Sequence, residues 1–576
     1  MAIKNMWLIT NSKTICITSE LKMTQFPNYS FHTDEDSLSN IGKWYLSGHI
    51  FPRNSNTTSN FFNSYELLEH LSSIHSNSFI NHIKGNFIIA RFEDDGFKIY
   101  SDHFAISKFF IWYSGDSFII SNNLRLIAES VCLIPSPENM AVYALTYHFT
   151  GGKTLFKDVY HNEPGQVISY SNGKLNFSNH WEPSSLLSLP KQSLPIESIK
   201  KSLHHTVSLG LKQIRNNRIS LSLTGGADTR NLLALFLSQG IKPHLYTYGN
   251  PLSADCLKAT AIAKGLNLEH SVYDIQMDES TFESYARKIT ILSGGLASIH
   301  RVHRLMSVEK EKNFANYMFL GTLGGEFIKG VSEDDYIVPS IVYNRWRNEI
   351  LSKEQLVPYL HSKYINSDSI DLGSLLSFLN KEPYMQGNVI HRKHNSLSYI
   401  TAHLHDAQDV NLYRTAMDEV FTPFLDVDYL NLIFSSQYTF DQKEVIGNKY
   451  IERINNPVYG SEFLNATYKP LLKFLYSGDH KPSDVLFNKY YAAIAKAIRQ
   501  KTRPKYPANF PLGNWMQSFV EKNLQQCSDH PVIANTFRVT DLIDEFSRGN
   551  HKQNEAYWLK FTNPIMMRFI IEEFTK

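Results

Sequence analysis

The period of hydrophobic positions changes along the chain, and that change divides it. From about residue 75 to 185, short apolar runs are cut by turn residues: 86–92 gives way to Asp94, Asp95 and Gly96, and 97–101 follows. This order predicts a β-hairpin, because Asp and Gly adopt the backbone conformations that a tight turn requires. The arrangement recurs where Ser114, Gly115 and Asp116 precede 118–121, and again around Asn172 and Gly173. The first part of the chain is therefore expected to be β-rich.

Between 182 and 198 the pattern loosens into Ser, Pro and Leu, with Pro183, Pro190 and Pro195, before a helical period over 199–214. A short apolar strand at 219–223, a helix over 230–238 and a second strand at 243–248 come next. Strand, helix, strand in that order predicts a parallel α/β sheet. From about 340 onward apolar residues recur at helical spacing, so a mostly helical C-terminal part is expected, and no internal repeat is found. The expected organisation is a first domain over 1–185, a linker over 186–197 and a second domain over 198–576.

Composition narrows the function classes. A chain of 576 residues is too long for one compact core, and 42% hydrophobic with 19% charged content is that of a folded globular protein. With 57 basic and 55 acidic side chains the net charge is +2, which leaves no sequence-wide footprint for nucleic acid or an anionic membrane. No apolar run approaches the roughly 20 residues that span a bilayer, and 1–14 has only a short apolar stretch after Lys4, so a cytoplasmic protein is expected. Cys16, Cys132, Cys256 and Cys527 are scattered without a CxxC pair and read as buried free thiols.

The chemistry concentrates where the strand at 219–223 runs into Thr224, Gly225, Gly226, Ala227, Asp228 and Thr229, with a helix expected behind them. Two glycines let backbone amides approach an oxyanion, hydroxyls add donors, and the helix N-terminus adds partial positive charge. An acidic residue in such a loop would repel phosphate by itself, so Asp228 makes chemical sense holding a magnesium ion that bridges phosphates. The plainer alternative is a helix cap preceded by a glycine turn. Gly151, Gly152, Lys153 and Thr154 look like the end of a phosphate-binding Walker A loop, but its first glycine would fall at Tyr147, so that match fails.

The six residues from Thr224 to Thr229 resemble the SGGxDS loop of ATP pyrophosphatases, with threonine for each serine. The likeness extends to asparagine synthetase and its relatives through Asp255, Ala259, Ala263, Gly265 and His270, then through Pro423, Phe424, Leu425 and Asp426 (the PFLD motif) preceded by Glu419. Lys449, Tyr450, Ile451, Glu452 and Arg453 resemble the family's KxxLR segment. The front half resembles its glutaminase domain through Gly85, Asn86 and Phe87, the run 102–111, the segment 121–127, Pro164 with Gly165, and His180 with Trp181. The resemblance implies an N-terminal αββα sandwich of the Ntn-hydrolase type, followed by an α/β ATP-pyrophosphatase domain with a helical C-terminal extension. It implies ATP and Mg2+ as cofactors, with Leu223, Thr224, Gly225, Gly226, Ala227, Asp228, Thr229, Tyr248 and Gly321 binding the nucleotide. Asp228 and Glu326 would hold the metal, and Lys449 and Glu326 would act in catalysis.

The pattern also breaks in places. The second acidic motif, SGxGADELFGG, reads here as Gly321, Thr322, Leu323, Gly324, Gly325, Glu326, Phe327, Ile328, Lys329, Gly330, so Gly325 stands at a metal-binding aspartate and only Glu326 keeps a carboxylate. Phe421 stands where an arginine is common ahead of the PFLD proline. A glutaminase of this type uses an N-terminal cysteine whose own amine is the base, and position 2 is Ala2, so glutamine hydrolysis is expected to be absent. His391, His394, His403 and His405, and separately His300 and His303, could suggest metal ligands, but polar loop and helix-face histidines explain them without an ion.

The resulting expectation is an AMP-forming amide ligase joining a small-molecule or peptide carboxylate to an amine, in specialised biosynthesis of peptide natural product or surface-glycan type, with biosynthetic partner proteins. The amine could be free ammonia, an intramolecular amine as in β-lactam synthetase, or a peptide amine as in lasso-peptide macrolactam synthetases. Two other readings remain: a degenerate relative that binds nucleotide or a partner, and a sulfur-transferring pyrophosphatase acting on RNA, which the missing CxxC and basic face disfavour.

Overall fold

The computed structural model describes residues 6–12, 21–34, 44–53, 64–75, 78–193, 196–214, 218–329, 339–347, 350–387, 394–398, 406–436, 445–446, 449–450, 512–549 and 555–575. Alternating apolar residues in the first part build two antiparallel sheets. One contains β1 (Trp7–Thr10), β2 (Lys22–Gln25), β3 (Ser30–Thr33), β7 (Phe110–Ser114), β8 (Ser117–Ser121) and β9 (Val159–His161), in the order β2-β3-β1-β8-β7-β9. The other contains β4 (Trp44–Pro52), β5 (Ile83–Glu93), β6 (Gly96–Ser101), β10 (Gln166–Ser171) and β11 (Lys174–Asn179), in the order β11-β10-β6-β5-β4.

The period of two decides which side chains meet. Trp7 and Ile9 of β1 join Ile88, Ala90 and Phe92 of β5 in a core between the sheets. Leu8 of β1 turns outward toward α2 (Leu124–Ser130) and α3 (Pro137–Thr146), while Phe87 and Ile89 turn toward α1 (Ser64–His75). The layers thus run helix, sheet, sheet, helix. The hairpins expected at 94–96, 114–116 and 172–173 all form, joining β5 to β6, β7 to β8 and β10 to β11.

After the 3-10 turn Pro183–Leu186, α4 (Ile196–Ile214) leads to a parallel sheet of β12 (Ile219–Ser222), β13 (His244–Tyr248), β14 (His270–Tyr273), β15 (Tyr317–Phe319) and β16 (Glu419–Phe421), ordered β14-β13-β12-β15-β16. Helices α5 (Ala227–Ser238), α6 (Ala254–Leu266), α7 (Glu279–Ser293) and α8 (Val302–Glu311) connect its first four strands. Glu311, fully buried, accepts from Ser220 Oγ at 2.6 Å and Tyr273 Oη at 2.6 Å and contacts His244 Nδ1 at 2.5 Å, tying three strands together. The chain winds outward from β12 to β14, then returns past β12 to β15. That reversal separates the connections at the C-terminal ends of β12 and β15 and opens a crevice between them.

Four details correct the expectations. The first helix behind β12 starts at Ala227 rather than at 230, and α4 starts at Ile196 rather than at 199. The C-terminal part is mostly helical among the described residues, including Leu512–Ser528 and Glu555–Phe574, but Glu419–Phe421 pairs with β15 as an edge strand. Cys256 and Cys527 are buried free thiols, whereas Cys132 is exposed and Cys16 lies outside the described residues. No helix among the described residues is long and apolar enough to cross a membrane.

The sandwich and the parallel sheet are joined by polar contacts. Lys84 of β5, 2% exposed, places its Nζ 2.8 Å from Asp426 and 3.1 Å from Asp428. Burial lowers the Lys84 ammonium, but the two carboxylates outweigh it and hold the group above its ordinary value. Asn86 donates to Thr422 Oγ1 at 3.0 Å, Arg53 pairs with Asp428 at 2.9 Å, and Arg414 reaches Ser107 Oγ at 2.7 Å.

Candidate functional site

The loop behind β12 is shaped by its own side chains. Leu223 N–H donates to the Tyr246 carbonyl at 2.8 Å, and its carbonyl accepts the Thr247 hydroxyl at 2.6 Å, which fixes the strand end. Beyond it, Thr224 N–H donates to Thr229 Oγ1 at 3.2 Å and Gly226 N–H donates to Thr224 Oγ1 at 3.0 Å. The two threonines that replace serines therefore close the loop on itself. Gly226 caps α5 in extended conformation with no side-chain cap bond, so the amides of the first turn, around Ala227, Asp228 and Thr229, face the end of the strand.

Both neighbouring loops press on this turn. A Cβ on Gly225 would lie 2.6 Å from Lys258 Cδ, and one on Gly321 would lie 3.0 Å from Thr229 Cγ2 and 3.2 Å from its nitrogen. Glycine at these positions lets α6 and the β15 loop close on the start of α5. Gly225 N–H donates to Asp255 Oδ1 at 3.3 Å, so the carboxylate on α6 holds one of the amides that phosphate would use. Leu323, buried in the β15 loop, has φ +64, a left-handed conformation costing a branched side chain roughly 1–2 kcal/mol. Glu326 lies in the first turn of α9 (Gly324–Lys329), and Tyr248 ends β13 with its ring 5.7 Å from that of His303.

Tyr429 is a site neighbour the sequence pattern does not expose. It is 1% exposed, its hydroxyl has no hydrogen-bond partner among the described residues, and burial together with the charge of Asp228 pushes that hydroxyl well above its ordinary value. The only sequence signal is its place three residues after Asp426, whose carboxylate caps its helix by accepting Tyr429 N–H at 2.9 Å.

The rest of the PFLD segment serves the joint. Asp426 pairs with Lys84 and Thr422 bonds Asn86. Phe421 stacks 4.7 Å from Phe319 and 4.5 Å from His49, so an aromatic side chain fills the place where arginine is common in the resembled family. Burial acts to raise the Glu419 carboxyl, but Arg414 at 2.8 Å and His49 at 3.3 Å outweigh it and bring the group down to about 2. In the sandwich, Asp102 accepts backbone N–H groups from Phe87, Phe104, Ile106 and Ser107 at 2.9–3.3 Å, which pins the 102–107 turn.

Of the expected site residues, the structure gathers Leu223 through Thr229 and Gly321 at the crevice. Lys449 lies in a two-residue strand paired with Val445–Ile446, and its side chain, like Ala2, lies outside the described residues, as do His391, His403 and His405. His300 and His303 are buried; His300 Nδ1 contacts Ser298 Oγ at 2.5 Å and His303 packs 6.3 Å from the Trp515 ring. Among the described residues no group of three His, Cys, Asp or Glu is arranged to hold a metal.

Neither a protein-family model nor a curated protein matches this chain. Two solved structures align with it loosely. An allosteric regulatory enzyme of purine biosynthesis shares 9% identity over 47% of this chain and 74% of that one, with TM-score 0.20. The glutamine phosphoribosylpyrophosphate amidotransferase from B. subtilis, complexed with ADP and GMP, shares 10% identity over 66% of this chain and 91% of that one, with TM-score 0.19. Alignments this loose leave the fold and the crevice to stand on the geometry described above.

Proposed function

We propose that the protein is an ATP-dependent, AMP-forming amide ligase without a glutaminase of its own, built like an asparagine synthetase on an Ntn-type sandwich and an ATP-pyrophosphatase domain. The observation that carries this reading is the first turn of α5, preceded by Gly225 and Gly226, at the point where the parallel sheet reverses its winding. Backbone amides and a helix dipole converging on such a crevice favour a phosphate chain.

In the proposed reaction a substrate carboxylate oxygen attacks the α-phosphorus of ATP, the bond to the β-phosphate oxygen breaks, and pyrophosphate leaves. An amine then attacks the acyl carbon, loses a proton and expels AMP. The amides of the α5 turn and the hydroxyls of Thr224 and Thr229 would orient the departing phosphates. Asp228 and Glu326 would supply carboxylates to a magnesium ion arriving on the nucleotide, with phosphate oxygens and water completing its oxygen ligands. Such an ion would neutralise charge on the phosphates. Lys449 would stabilise charge developing at the adenylating centre.

A second reading is a degenerate nucleotide- or partner-binding relative. It is favoured by Gly325, where the resembled family has a carboxylate, and by Asp255 on the Gly225 amide. Thermal stability with Mg2+ and a non-hydrolysable ATP analogue tests the common premise. At about 100 times Kd the stabilisation should be roughly 2.7 kcal/mol, a shift of several degrees, and Asp228→Ala should abolish it. No shift at millimolar analogue, in a folded protein, would remove the ligase reading and leave a scaffold or partner-binding relative. A shift without AMP release on any carboxylate would leave only the second.

A further inference from the structure

A cavity of about 480 Å³ lies away from the crevice, where the loops after α3 and β9 meet the 3-10 turn Pro183–Leu186, the turn Pro383–Met385 and residues 394–398. Its size is that of a small-molecule site. The two glycines of the Gly-Gly-Lys-Thr run that fails as a phosphate loop form part of its wall. Gly151 and Gly152 are consecutive left-handed residues, with φ +61 and +67. A Cβ on Gly151 would lie 2.6 Å from Glu382 Oε2, and one on Gly152 would lie 3.4 Å from Glu163 Cγ. Adjacent Cα atoms are about 3.8 Å apart, so the two glycines seat two carboxylates side by side at the cavity.

Neither carboxylate forms an ion pair among the described residues; Lys108 acts on Glu163 and Lys153 on Glu382 only from a longer distance. Among the described residues no cation lies within 4 Å of Glu163 or Glu382. Glu382 is only 8% exposed, and the hydrogen bond from Tyr384 N–H is long, at 3.5 Å. Burial, then the charge of Glu163, pushes the Glu382 carboxyl up to about 7. A buried acid held in this way gains most from a ligand that brings positive charge.

The cation lining the cavity is already engaged. Lys108 Nζ donates to the Asn162 carbonyl at 3.3 Å and lies 3.5 Å from His161 Nδ1, whose ring contacts the Phe149 carbonyl through Nε2 at 3.1 Å. His161 is held down to about 3 by burial and by Lys108, so the ring is neutral, and both its nitrogens face backbone carbonyls, Nδ1 that of Asn162 at 2.9 Å and Nε2 that of Phe149. An anion at Lys108 would also face Glu163. A metal ion would want a third anionic or imidazole ligand, and no such group of three exists among the described residues.

We propose that this cavity binds a small organic ammonium, its charged head between Glu163 and Glu382 and its carbon chain against Phe149, Leu296 and Leu397. The assignment goes beyond the ligase reading and does not depend on it, because the cavity is lined without any residue of the α5 turn.

Calorimetric titration of the full-length protein without nucleotide at pH 8 tests it, using n-pentylamine with n-pentanol and pentanoate as controls. Pentylamine should bind, and neither control should. Glu382→Gln and Glu163→Gln should each weaken binding at least tenfold while circular dichroism and Tm report a folded protein. A Gly-Leu amide dipeptide tests the other source of the same chemistry, a peptide amino terminus; tighter binding than pentylamine would name a peptide as the ligand. Equal binding of pentanol or pentanoate would overturn the proposal. So would no pentylamine binding at 10 mM, or an affinity unchanged in both Gln variants.

Discussion

Lys84→Met lowers stability by about 3–5 kcal/mol in urea unfolding, the largest loss expected from a single substitution at the joint. The wild-type ammonium is 2% exposed and serves two carboxylates, of which Asp426 is also buried. Removing the cation leaves Asp426 charged in a site water scarcely reaches, and Arg53 remains only for Asp428. Asp426→Asn keeps an oxygen to cap the helix Val427–Ser435 and removes the stranded charge. The double variant Lys84→Met with Asp426→Asn should therefore recover part of the loss, and a double-mutant cycle measures how much. Equal losses in the two backgrounds would mean that the pair is not coupled.

That joint also marks where reading the sequence reaches its limit. The strands were legible because side chains in a sandwich alternate: 86–92 shows the pattern, and β5 puts Phe87 and Ile89 on one face and Ile88 and Ala90 on the other. The turn at Gly225 and Gly226 is legible because two glycines between an apolar strand and a helical period mark a bend, whichever of the phosphate and helix-cap readings holds. The start of α5 is not legible because Gly226 caps it without a side chain, leaving no Ser or Asp to mark the position. The edge strand Glu419–Phe421 is three residues long and disappears into helical spacing.

The joint was hidden for a different reason. Asn86 and Thr422 are 336 positions apart, and nothing local in either segment shows that they meet. The PFLD segment carries part of the family resemblance, yet in the structure Asp426 faces Lys84 while Tyr429, outside the motif, lies within the charge field of Asp228. The cavity was hidden in the same way. In the sequence Gly151 and Gly152 resemble part of a phosphate loop, and only the fold brings Glu163 and Glu382 against them.

Glu382→Gln should stabilise the protein by about 3 kcal/mol at pH 8 and leave it nearly unchanged at pH 4. The folded carboxyl titrates near 7 instead of its ordinary 4.5, chiefly through burial and the neighbouring Glu163. Below 4.5 the folded and unfolded chains both hold the proton. Between 4.5 and 7 the unfolded chain releases it while the folded chain keeps it, so wild-type stability falls as pH rises through that window. Glutamine has no proton to lose and avoids the fall. Denaturant unfolding of both proteins at pH 4, 6 and 8 should show the difference opening across the window; parallel curves would mean that Glu382 is not held up by its surroundings. The same substitution should weaken ammonium binding at least tenfold, because a buried carboxylate with no ion pair weakens the empty protein and strengthens the occupied one. A gain in stability together with a loss of amine binding is the signature expected of a residue retained for a ligand rather than for the fold.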